Sequence, residues 1–319
     1  MLERGSAQPI LFIQSIKEAA LHTIDLHMHS KYSNDGEFEP HTLMDLCSKV
    51  PLDLVSLTDH NSAKGNVEAA KRAKELNMLF IPGIEINCQT KKRTEIHMLG
   101  YGIDATDSAF EKIEKEVIER EYEADLLRIR IFRKLGVILD EEKIQKETEK
   151  QPLTYRVIAE VALSEYRNRD HPLLQPYLPG GNRSDNPLVN FFWDLCTTGK
   201  PADVPVDYLP VPKAIQLIQE SGGIAVFAHP GASIGKNDAE LAEIVEAGIS
   251  GIEVYSSYHD REMTRFYEIQ AQKYGLRVSV GSDFHGSLKP AIQLGSVSCN
   301  GREEEIYSFM QESISSSPA

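Results

Sequence analysis

Short apolar segments alternate with helical patterns over two parts of the chain, residues 23–103 and 212–298. In the first part the apolar segments are 23–29, 52–58 and 79–86. Such alternation is typical of a mostly parallel sheet or a βα barrel, because parallel neighbours need a long crossover that is usually a helix. The sequence therefore predicts an α/β protein whose strands end at a common edge, where the active sites of such folds lie.

Residues 105–200 interrupt this alternation. The segment is charged, its apolar residues such as Phe110, Ile113 and Val117 recur at helical spacing, and residues 168–187 are rich in turn-forming residues. We therefore expect a helical insertion within a discontinuous barrel domain. The predicted ranges are 1–22 for an N-terminal extension, 23–104 and 201–300 for the barrel, 105–200 for the insertion, and 301–319 for a C-terminal helix and tail.

Charge and cysteine content limit the partners and the compartment. The 319 residues carry a formal net charge of -14, so a basic surface for duplex DNA or an anionic membrane is not expected. No apolar run reaches membrane-spanning length, and Pro9–Ile13 is interpreted as a short strand or extension rather than a signal peptide. The cysteines have no Cys-x-x-Cys spacing, which favours a reducing, cytoplasmic location. They are Cys47, Cys88, Cys196 and Cys299.

The first apolar segment carries polar side chains on one face. Asp25, His27 and His29 occupy alternate positions of a predicted strand, so they point the same way. Two imidazoles on one face can reach one metal ion, and Asp35 follows in the loop beyond. Two ligands do not complete a metal site, so the pair alone fits ordinary strand residues equally well. The metal interpretation depends on ligands from other strands.

Further histidines and carboxylates lie at or near the carboxyl ends of the other predicted strands. Six of the 10 histidines occupy such places. One of them alone would be structural, whereas six together with carboxylates indicate a polynuclear metal site. Imidazole and carboxylate suit Zn, Mn and Fe, and the lack of suitable cysteines argues against a thiolate site. The residues are His27, His29, Asp59, His60, Glu85, His97, His229, Asp283 and His285.

The order of these motifs closely resembles that of the PHP (polymerase and histidinol phosphatase) family. The resemblance spans residues 23–103 and 212–298 and implies a distorted (β/α)7 barrel, the PHP fold, with two to three divalent ions (Mn, Zn or Fe) at its mouth. The motifs are His27-Met-His29, Asp35-Gly36, Thr58-Asp-His60, Pro82-Gly-Ile-Glu85, His97, Ala228-His-Pro230 and Gly281-Ser-Asp-Phe-His285.

Transferred position by position, the resemblance implies three metal sites, two of which share the carboxylate of Glu85. The implied ligands are His27, His29, Glu85 and Asp283 for the first ion, Glu85, His97 and His229 for the second, and Asp35, His60 and His285 for the third. Sharing is chemically reasonable, because a carboxylate has two oxygens whereas an imidazole offers one lone pair.

The implied activity is that of a metal-dependent phosphoesterase acting on a small phosphorylated metabolite. A hydroxide bridging two metal ions would attack phosphorus. Asp283 is a candidate to accept the proton of that water, and Asp59 could orient a metal ligand. His259 matches a position where the family often has His, so it could contact phosphate or act as the acid. The alternative, which fits equally well, is that His259 is an ordinary polar residue at the start of a helix.

Three arginines are candidates for substrate binding, namely Arg156, Arg183 and Arg261. Arg156 or Arg183 could bind a distal phosphate, although a lone arginine is more often a solvated surface charge. Similar phosphoesterases often carry Arg-Pro-His where this chain has Thr154-Tyr-Arg156. Their substrate contacts therefore do not transfer directly.

Several substrate classes stay open. A PHP domain with an insertion resembles enzymes that cleave nucleotide 3′,5′-bisphosphates, short RNA 5′ ends or cyclic ribose phosphates, and the polar loop 168–187 keeps the cyclic class open. We expect the insertion to act as a lid that sets specificity. An amidohydrolase-type enzyme is an alternative, although no strand-end lysine is found. A non-catalytic PHP module is another, although the ligand set is complete. The sequence leaves the oligomeric state open.

Overall fold

The computed structural model describes residues 23–149 and 152–315. The predicted N-terminal extension, with its segment Pro9–Ile13, lies outside the described residues. The strands are β1 (Ile24–Asp25), β2 (Leu54–Leu57), β3 (Leu79–Gln89), β4 (Glu95–Tyr101), β5 (Leu209–Pro210), β6 (Ile224–Phe227), β7 (Gly251–Ser256) and β8 (Arg277–Gly281). The α-helices are α1 (Pro40–Lys49), α2 (Asn66–Glu75), α3 (Ser108–Lys134), α4 (Glu141–Thr148), α5 (Tyr155–Ser164), α6 (Pro187–Leu195), α7 (Val211–Glu220), α8 (Pro230–Ser233), α9 (Asp238–Glu246), α10 (Arg261–Tyr274) and α11 (Glu303–Ser315).

Seven strands form a nearly closed barrel in the order β1-β2-β3-β4-β6-β7-β8, and β5 pairs with β3 outside this path. Strand β4 runs antiparallel to β3 and β6, whereas the other neighbours on this path are parallel. The circuit returns from β8 to β1, because the N–H of Leu26 donates to the carbonyl of Val280 at 3.1 Å. The predicted α/β class and distorted seven-stranded barrel are confirmed.

The chain divides into two compact units. The first contains the barrel and comprises the residues up to Asp107, Leu209–His285 and the residues from Ala291. The second comprises Ser108–Tyr208 with Gly286–Pro290. Its described residues contain helices but no strand, and its own core includes the fully buried side chains of Phe132 and Phe191.

The pleat of the first strand segment separates core residues from site residues. Met28 packs against α1, with its sulfur 3.6 Å from the Sγ of Cys47. The intervening His27 and His29 point the opposite way, into the barrel, as the alternation predicts. The regular ladder is shorter than expected and ends at Asp25, because the residues after it bond to β8 and the segment that follows it. Within the described residues, none of the helices combines the length and apolar character needed to cross a membrane.

Asp25 ties the start of the barrel to the segments that follow its last strand. Its buried carboxylate accepts the N–H of Ser282 at 2.9 Å and the N–H of Gly295 at 2.9 Å. Each of these segments is distant in sequence, so one side chain fixes three parts of the chain. These contacts indicate a structural role for Asp25.

We expect Asp25→Ala to lower the free energy of unfolding by about 2–4 kcal/mol, since a buried donor left without its acceptor costs about 1–3 kcal/mol. Urea denaturation of metal-depleted protein measures this. The matched control is Asp170→Ala, because the Asp170 side chain is 81% exposed and its ion pair with Arg169 lies at the surface. Equal stability of the two variants would show that Asp25 is not a structural anchor.

Candidate metal centre

Nine histidine and carboxylate side chains converge at the mouth of the barrel. His60 and Glu85 pair through an isolated parallel bridge between the segment that follows β2 and strand β3. His97 lies near the start of β4 rather than at a carboxyl end, because β4 runs antiparallel and therefore presents its first residues to this mouth. The nine are the predicted set, namely His27, His29, Asp35, His60, Glu85, His97, His229, Asp283 and His285.

The first cluster consists of His27, His29, Glu85 and Asp283, each with a ligand atom within 4.8 Å of the others. The Nε2 atoms of both histidines lie 3.3 Å from Oε2 of Glu85. They lie 3.1 and 2.9 Å from Oδ1 of Asp283. Ligands bound tetrahedrally at about 2.0–2.1 Å are about 3.3–3.4 Å apart, so this spacing suits one ion.

Several atoms in the cluster are buried without a hydrogen bond. Among the described residues, Nε2 of His27, Nε2 of His29 and Oε2 of Glu85 have no hydrogen-bond partner, although all three side chains are fully buried. Leaving such atoms unsatisfied costs about 1–3 kcal/mol each, and native structures avoid it. A metal ion would satisfy all three together, so the residues present fit a bound ion.

Glu85 joins the first cluster to the remaining ligands. Its Oε1 lies 3.0 Å from Nδ1 of His97 and 3.0 Å from Nε2 of His229. Its Oε2, which faces His27 and His29, also lies 3.0 Å from Nδ1 of His60. Two groups of imidazoles thus address different oxygens of one carboxylate, which is the geometry of a bridging ligand.

A third group lies beside the first cluster. Nε2 of His285 is 3.1 Å from Oδ2 of Asp35, and Nε2 of His60 is 3.8 Å from the same oxygen. The rings of His29 and His285 stack with centroids 4.0 Å apart. One ligand atom from each of these four residues lies within 4.8 Å of the others. The structure therefore brings the predicted third set together.

Hydrogen bonds behind the cluster fix the ring orientations. Nδ1 of His29 donates to the hydroxyl of Ser33 at 2.9 Å, and Nδ1 of His285 donates to the carbonyl of Asp283 at 2.7 Å. In each case the opposite nitrogen, Nε2, is directed at the cluster. Partners of this kind set the tautomer and the basicity of metal-binding histidines.

Asp59 holds the loop that carries Ser33. Its fully buried carboxylate accepts the N–H of Ser30 at 2.6 Å and the hydroxyls of Ser30 and Ser33 at 2.7 and 3.1 Å. Burial raises the pKa of Asp59 to about 6, even though these hydrogen bonds act in the opposite direction. The contact through Ser33 to His29 supports the orienting role predicted for Asp59.

Glu253, on β7, supports the cluster and was not among the predicted site residues. Its fully buried Oε1 accepts Nδ1–H of His27 at 2.9 Å, and its Oε2 accepts the N–H of His229 at 2.8 Å. A carboxylate inside the apolar segment Gly251–Ser256 was the available signal, because a buried charge requires partners.

Tyr258 is the second residue that sequence reasoning missed. Its hydroxyl donates to Oδ2 of Asp283 at 2.5 Å, and its ring lies edge-on to His229 with centroids 5.4 Å apart. Nothing in the sequence distinguishes Tyr258 from other loop tyrosines. Its contact depends on the loop after β7 meeting the end of β8.

The cluster shifts the pKa values of its own members in opposite directions. Burial, together with the neighbouring His285 and His60, lowers the pKa of His29 to about 4. Burial also opposes the charge on His97, but the Glu85 carboxylate prevails and raises the pKa of His97 to about 10. A metal ion binds the neutral imidazole, so its uptake displaces protons from residues such as His97.

Three of the six non-glycine residues with positive φ among the described residues lie at the same mouth. Asn61, His229 and Asp283 have φ angles of 55°, 24° and 60°, in the region that non-glycine residues seldom adopt. Such conformations cost of order 1–3 kcal/mol each and persist only where the surroundings enforce them. Two of these three residues are predicted metal ligands, and Asn61 directly follows a third.

The structure does not support His259 as a phosphate contact or a proton donor. Its Nδ1–H donates to the carbonyl of Val254 at 2.8 Å, and its Nε2 accepts the N–H of Gly231 at 3.0 Å. Both ring nitrogens are therefore occupied by the backbone. Burial also lowers the pKa of His259, in agreement with a neutral ring. The residue instead holds the turn that follows His229.

The three predicted substrate-binding arginines differ in their surroundings. Nε of Arg156 lies 2.9 Å from Glu160, one turn along α5. Arg183 makes a two-pronged contact with Asp194, at 2.8 and 3.2 Å. Both belong to the second unit and are neutralised within it. Arg261, on the first turn of α10, is exposed and makes no ion pair with any other described residue.

The chain is similar to several metal-dependent phosphoesterases and to proteins of the same fold. The family model for the PHP domain matches residues 25–157. A 3′,5′-nucleoside bisphosphate phosphatase of Chromobacterium violaceum is 30% identical over 265 residues, 82% of this chain and 87% of that protein. A phosphoribosyl 1,2-cyclic phosphate 1,2-diphosphodiesterase of Eggerthella lenta is 26% identical over 273 residues, 85% of this chain and 97% of that protein.

A solved structure described as an amidohydrolase from Chromobacterium violaceum, with bound sulfate and no metal, has a TM-score of 0.72 to this chain. The two are 24% identical, and the match covers 92% of this chain and 97% of the other. At this level of identity the likeness shows a shared fold.

We expect Glu85→Ala to lose most of its bound metal, because the substitution removes the only carboxylate that faces both groups of imidazoles in the described cluster. Plasma mass spectrometry of purified protein measures the metal content per chain. Glu246→Ala is the matched control, since Glu246 is exposed on the last turn of α9. Retention of a full metal complement by the Glu85 variant would contradict a bridging role.

We expect Glu253→Gln to weaken metal binding by about 10–100-fold, the usual effect of removing a group that orients a ligand. The amide retains the shape but cannot supply the charge that holds the His27 ring. Competition with a chromophoric chelator measures the affinity, with Glu246→Gln as control. An unchanged affinity would mean that Glu253 only fills space.

Proposed function

The chain belongs to the PHP family of metal-dependent phosphoesterases, and on this premise we propose that its substrates are nucleoside 3′,5′-bisphosphates. It is a phosphoric ester hydrolase. The substrate class is supported by the bisphosphate phosphatase of Chromobacterium violaceum, which is 30% identical over 82% of this chain. The observation that carries the proposal is the buried, unsatisfied cluster around Glu85.

We propose that the cluster holds two to three divalent ions of Mn, Zn or Fe. The donor atoms are imidazole nitrogens and carboxylate oxygens, which suit these metals. When bound, such ions lower the pKa of a water molecule towards neutrality and neutralise phosphoryl oxygens. The proposed ligands are the nine residues of the cluster, His27, His29, Asp35, His60, Glu85, His97, His229, Asp283 and His285.

The exposed side of the cluster indicates where the substrate enters. The side chains of His27 and Glu85 have no exposed area, whereas those of Asp35, His60 and His97 are 20%, 15% and 22% exposed. A phosphate group therefore approaches over the latter three residues. The buried side excludes competing water and preserves the strength of the charges there.

Asp283 is the proposed acceptor of the proton from the attacking water. Its Oδ1 faces the imidazoles of His27 and His29, and its Oδ2 is held by the hydroxyl of Tyr258 at 2.5 Å. A carboxylate oxygen has two lone pairs, so Oδ2 can accept a proton while it keeps the Tyr258 bond. Tyr258 thus positions the acceptor.

The state of the cysteines supports the predicted compartment. Cys47, Cys88, Cys196 and Cys299 are all buried and free. Cysteines that form no disulfide are typical of reducing surroundings. We therefore retain the cytoplasm as the proposed location.

A substrate panel tests the proposal. Metal-replete protein is assayed for phosphate release from adenosine 3′,5′-bisphosphate, a cyclic ribose phosphate and a short 5′-phosphorylated RNA. We expect kcat/KM for the bisphosphate to exceed the others at least tenfold, with activity abolished by a chelator and restored by Mn²⁺. Glu85→Ala, purified in parallel, controls for a contaminating phosphatase.

Three outcomes would overturn the proposal in whole or in part. Cleavage of an amide or lactone without phosphate release would favour an amidohydrolase-type activity. Inactivity of metal-replete protein on every phosphate ester would favour a non-catalytic module. Faster cleavage of the cyclic phosphate would keep the phosphoesterase chemistry and replace the substrate class.

A further inference from the structure

His97 faces the cluster through the opposite ring nitrogen from its neighbours. Its Nδ1 lies 3.0 Å from Oε1 of Glu85. His27 and His29 instead use Nδ1 in hydrogen bonds behind the cluster and direct Nε2 at Glu85. The ring of His97 is therefore reversed relative to these two, so a different group must hold its Nε2.

The register of β3 and β4 puts two polar side chains beside Nε2 of His97. Asn87 is the partner of His97 across the two strands, and Glu95 comes two residues before it on the same face of β4. Nε2 of His97 lies 3.3 Å from Nδ2 of Asn87 and 3.8 Å from Oε1 of Glu95. Nδ2 of Asn87 also donates to Oε1 of Glu95 at 3.2 Å. The three side chains thus form one group, all within the first unit.

A backbone hydrogen bond fixes which end of the Asn87 amide faces His97. The N–H of Asn87 donates to Oδ1 of Asn61 at 2.9 Å, so Asn61 presents its amide NH₂ to the Asn87 side chain. That NH₂ donates to Oδ1 of Asn87 at 2.8 Å, and both amides are buried. Nδ2 of Asn87 is therefore the atom that faces His97 and Glu95, and it can only donate.

A metal-bound His97 needs an acceptor that Asn87 cannot supply. A neutral imidazole that binds a metal ion through Nδ1 carries its proton on Nε2, so that nitrogen becomes a donor. Because Nδ2 of Asn87 is also a donor, the two groups cannot bond to each other in that state. The carboxylate of Glu95 supplies an acceptor on this side of the ring. Its side chain is 49% exposed, and a shift of about 1 Å brings it to hydrogen-bond distance.

We propose that Glu95 is a positioning residue of the metal centre: it accepts Nε2–H of His97 and so directs Nδ1 of that ring at the metal ion beside Oε1 of Glu85. A carboxylate in this role orients a metal-binding imidazole and increases its basicity. Asn87 holds the carboxylate of Glu95, and Asn61 holds Asn87. The inference rests on the proposed function, because it requires the cluster to bind metal ions.

Zinc affinities of matched variants test the role of Glu95. We expect Glu95→Ala to bind one Zn²⁺ ion about 10–100-fold more weakly than the wild type and to bind at least one other ion unchanged. Competition with a chromophoric chelator measures the stepwise affinities. Glu246→Ala is the control, since it removes an exposed glutamate from α9 of the same unit. Affinities equal to those of the control overturn the proposal, and so does an equal loss at every site, which would indicate a general disturbance of the barrel.

Glu95→Gln separates a hydrogen bond from a purely structural effect. The amide oxygen of glutamine can accept Nε2–H, and the donor of Asn87 favours this orientation of the amide. We therefore expect the Gln variant to bind the weakened Zn²⁺ ion at least about threefold more tightly than the Ala variant. Equal affinities of the two variants overturn the proposal, because the hydrogen bond would then have no effect on the ion.

NMR of the Zn²⁺-loaded protein identifies the nitrogen of His97 that binds the ion. Histidine labelled with nitrogen-15 reports the state of each ring nitrogen, and His97→Gln identifies the signals of this ring by their absence. We expect a metal-bound Nδ1 and a protonated Nε2. A metal-bound Nε2 overturns the proposal.

Failure of the proposed function remains distinguishable. Neither the affinity measurement nor the NMR experiment uses a substrate, so both still test Glu95 if the wild type binds Zn²⁺ but hydrolyses no phosphate ester. Unchanged Zn²⁺ affinities in Glu95→Ala, with hydrolysis of adenosine 3′,5′-bisphosphate intact in the wild type, overturn this inference alone. A wild type that binds no Zn²⁺ overturns both.

Discussion

The carboxylate of Glu85 is the point on which the structure of the mouth depends. A fully buried charge is costly unless compensated, and Glu85 is surrounded by imidazoles at 3.0–3.3 Å that lower its pKa well below the usual range. Contacts between Glu85 and the imidazoles do not meet every hydrogen-bonding requirement of the cluster, because several buried imidazole nitrogens remain without a hydrogen-bond partner among the described residues. The buried charge of Glu85 is therefore stabilised only when the fold brings histidines from several segments into contact with it.

The direction of each strand explains how the histidines and Glu85 come to lie at the same mouth of the barrel. Parallel strands deliver side chains from their carboxyl ends, but β4 is antiparallel and pairs Asn87 with His97 and Glu85 with Leu99. This register puts Glu85 and His97 on one face in diagonal positions, close enough for their 3.0 Å contact. The distortion of the barrel at β4 is thus what allows one carboxylate to face both groups of imidazoles.

Sequence periodicity predicted the features that depend on neighbouring residues in the chain, and it missed those that depend on contacts between distant segments. The two-residue period of a strand was enough to place His27 and His29 on one face. Strand–helix alternation predicted a mostly parallel sheet or a βα barrel, and the resemblance to the PHP family was needed to choose the barrel. Glu253 was missed because its partners, His27 and His229, come from the segments that follow β1 and β6, and no local pattern reveals such contacts. The backbone contacts of His259 could not be predicted for the same reason, since only the fold brings the N–H of Gly231 to its ring. The pairing of Arg156 was visible in the sequence, because Glu160 lies one helical turn away.

The distribution of charge determines where an anionic substrate can bind. An acidic chain repels anions at long range, so a phosphate ester must be attracted by local positive charge. Bound divalent ions would supply that charge at the cluster. Arg261 and Arg265 on α10 are exposed, and neither forms an ion pair with any residue that the structure describes. Arg156 and Arg183 lack this property, since each is already paired with a carboxylate. The pairing of an arginine, rather than its position at a family motif, therefore decides whether its charge remains available to attract an anion.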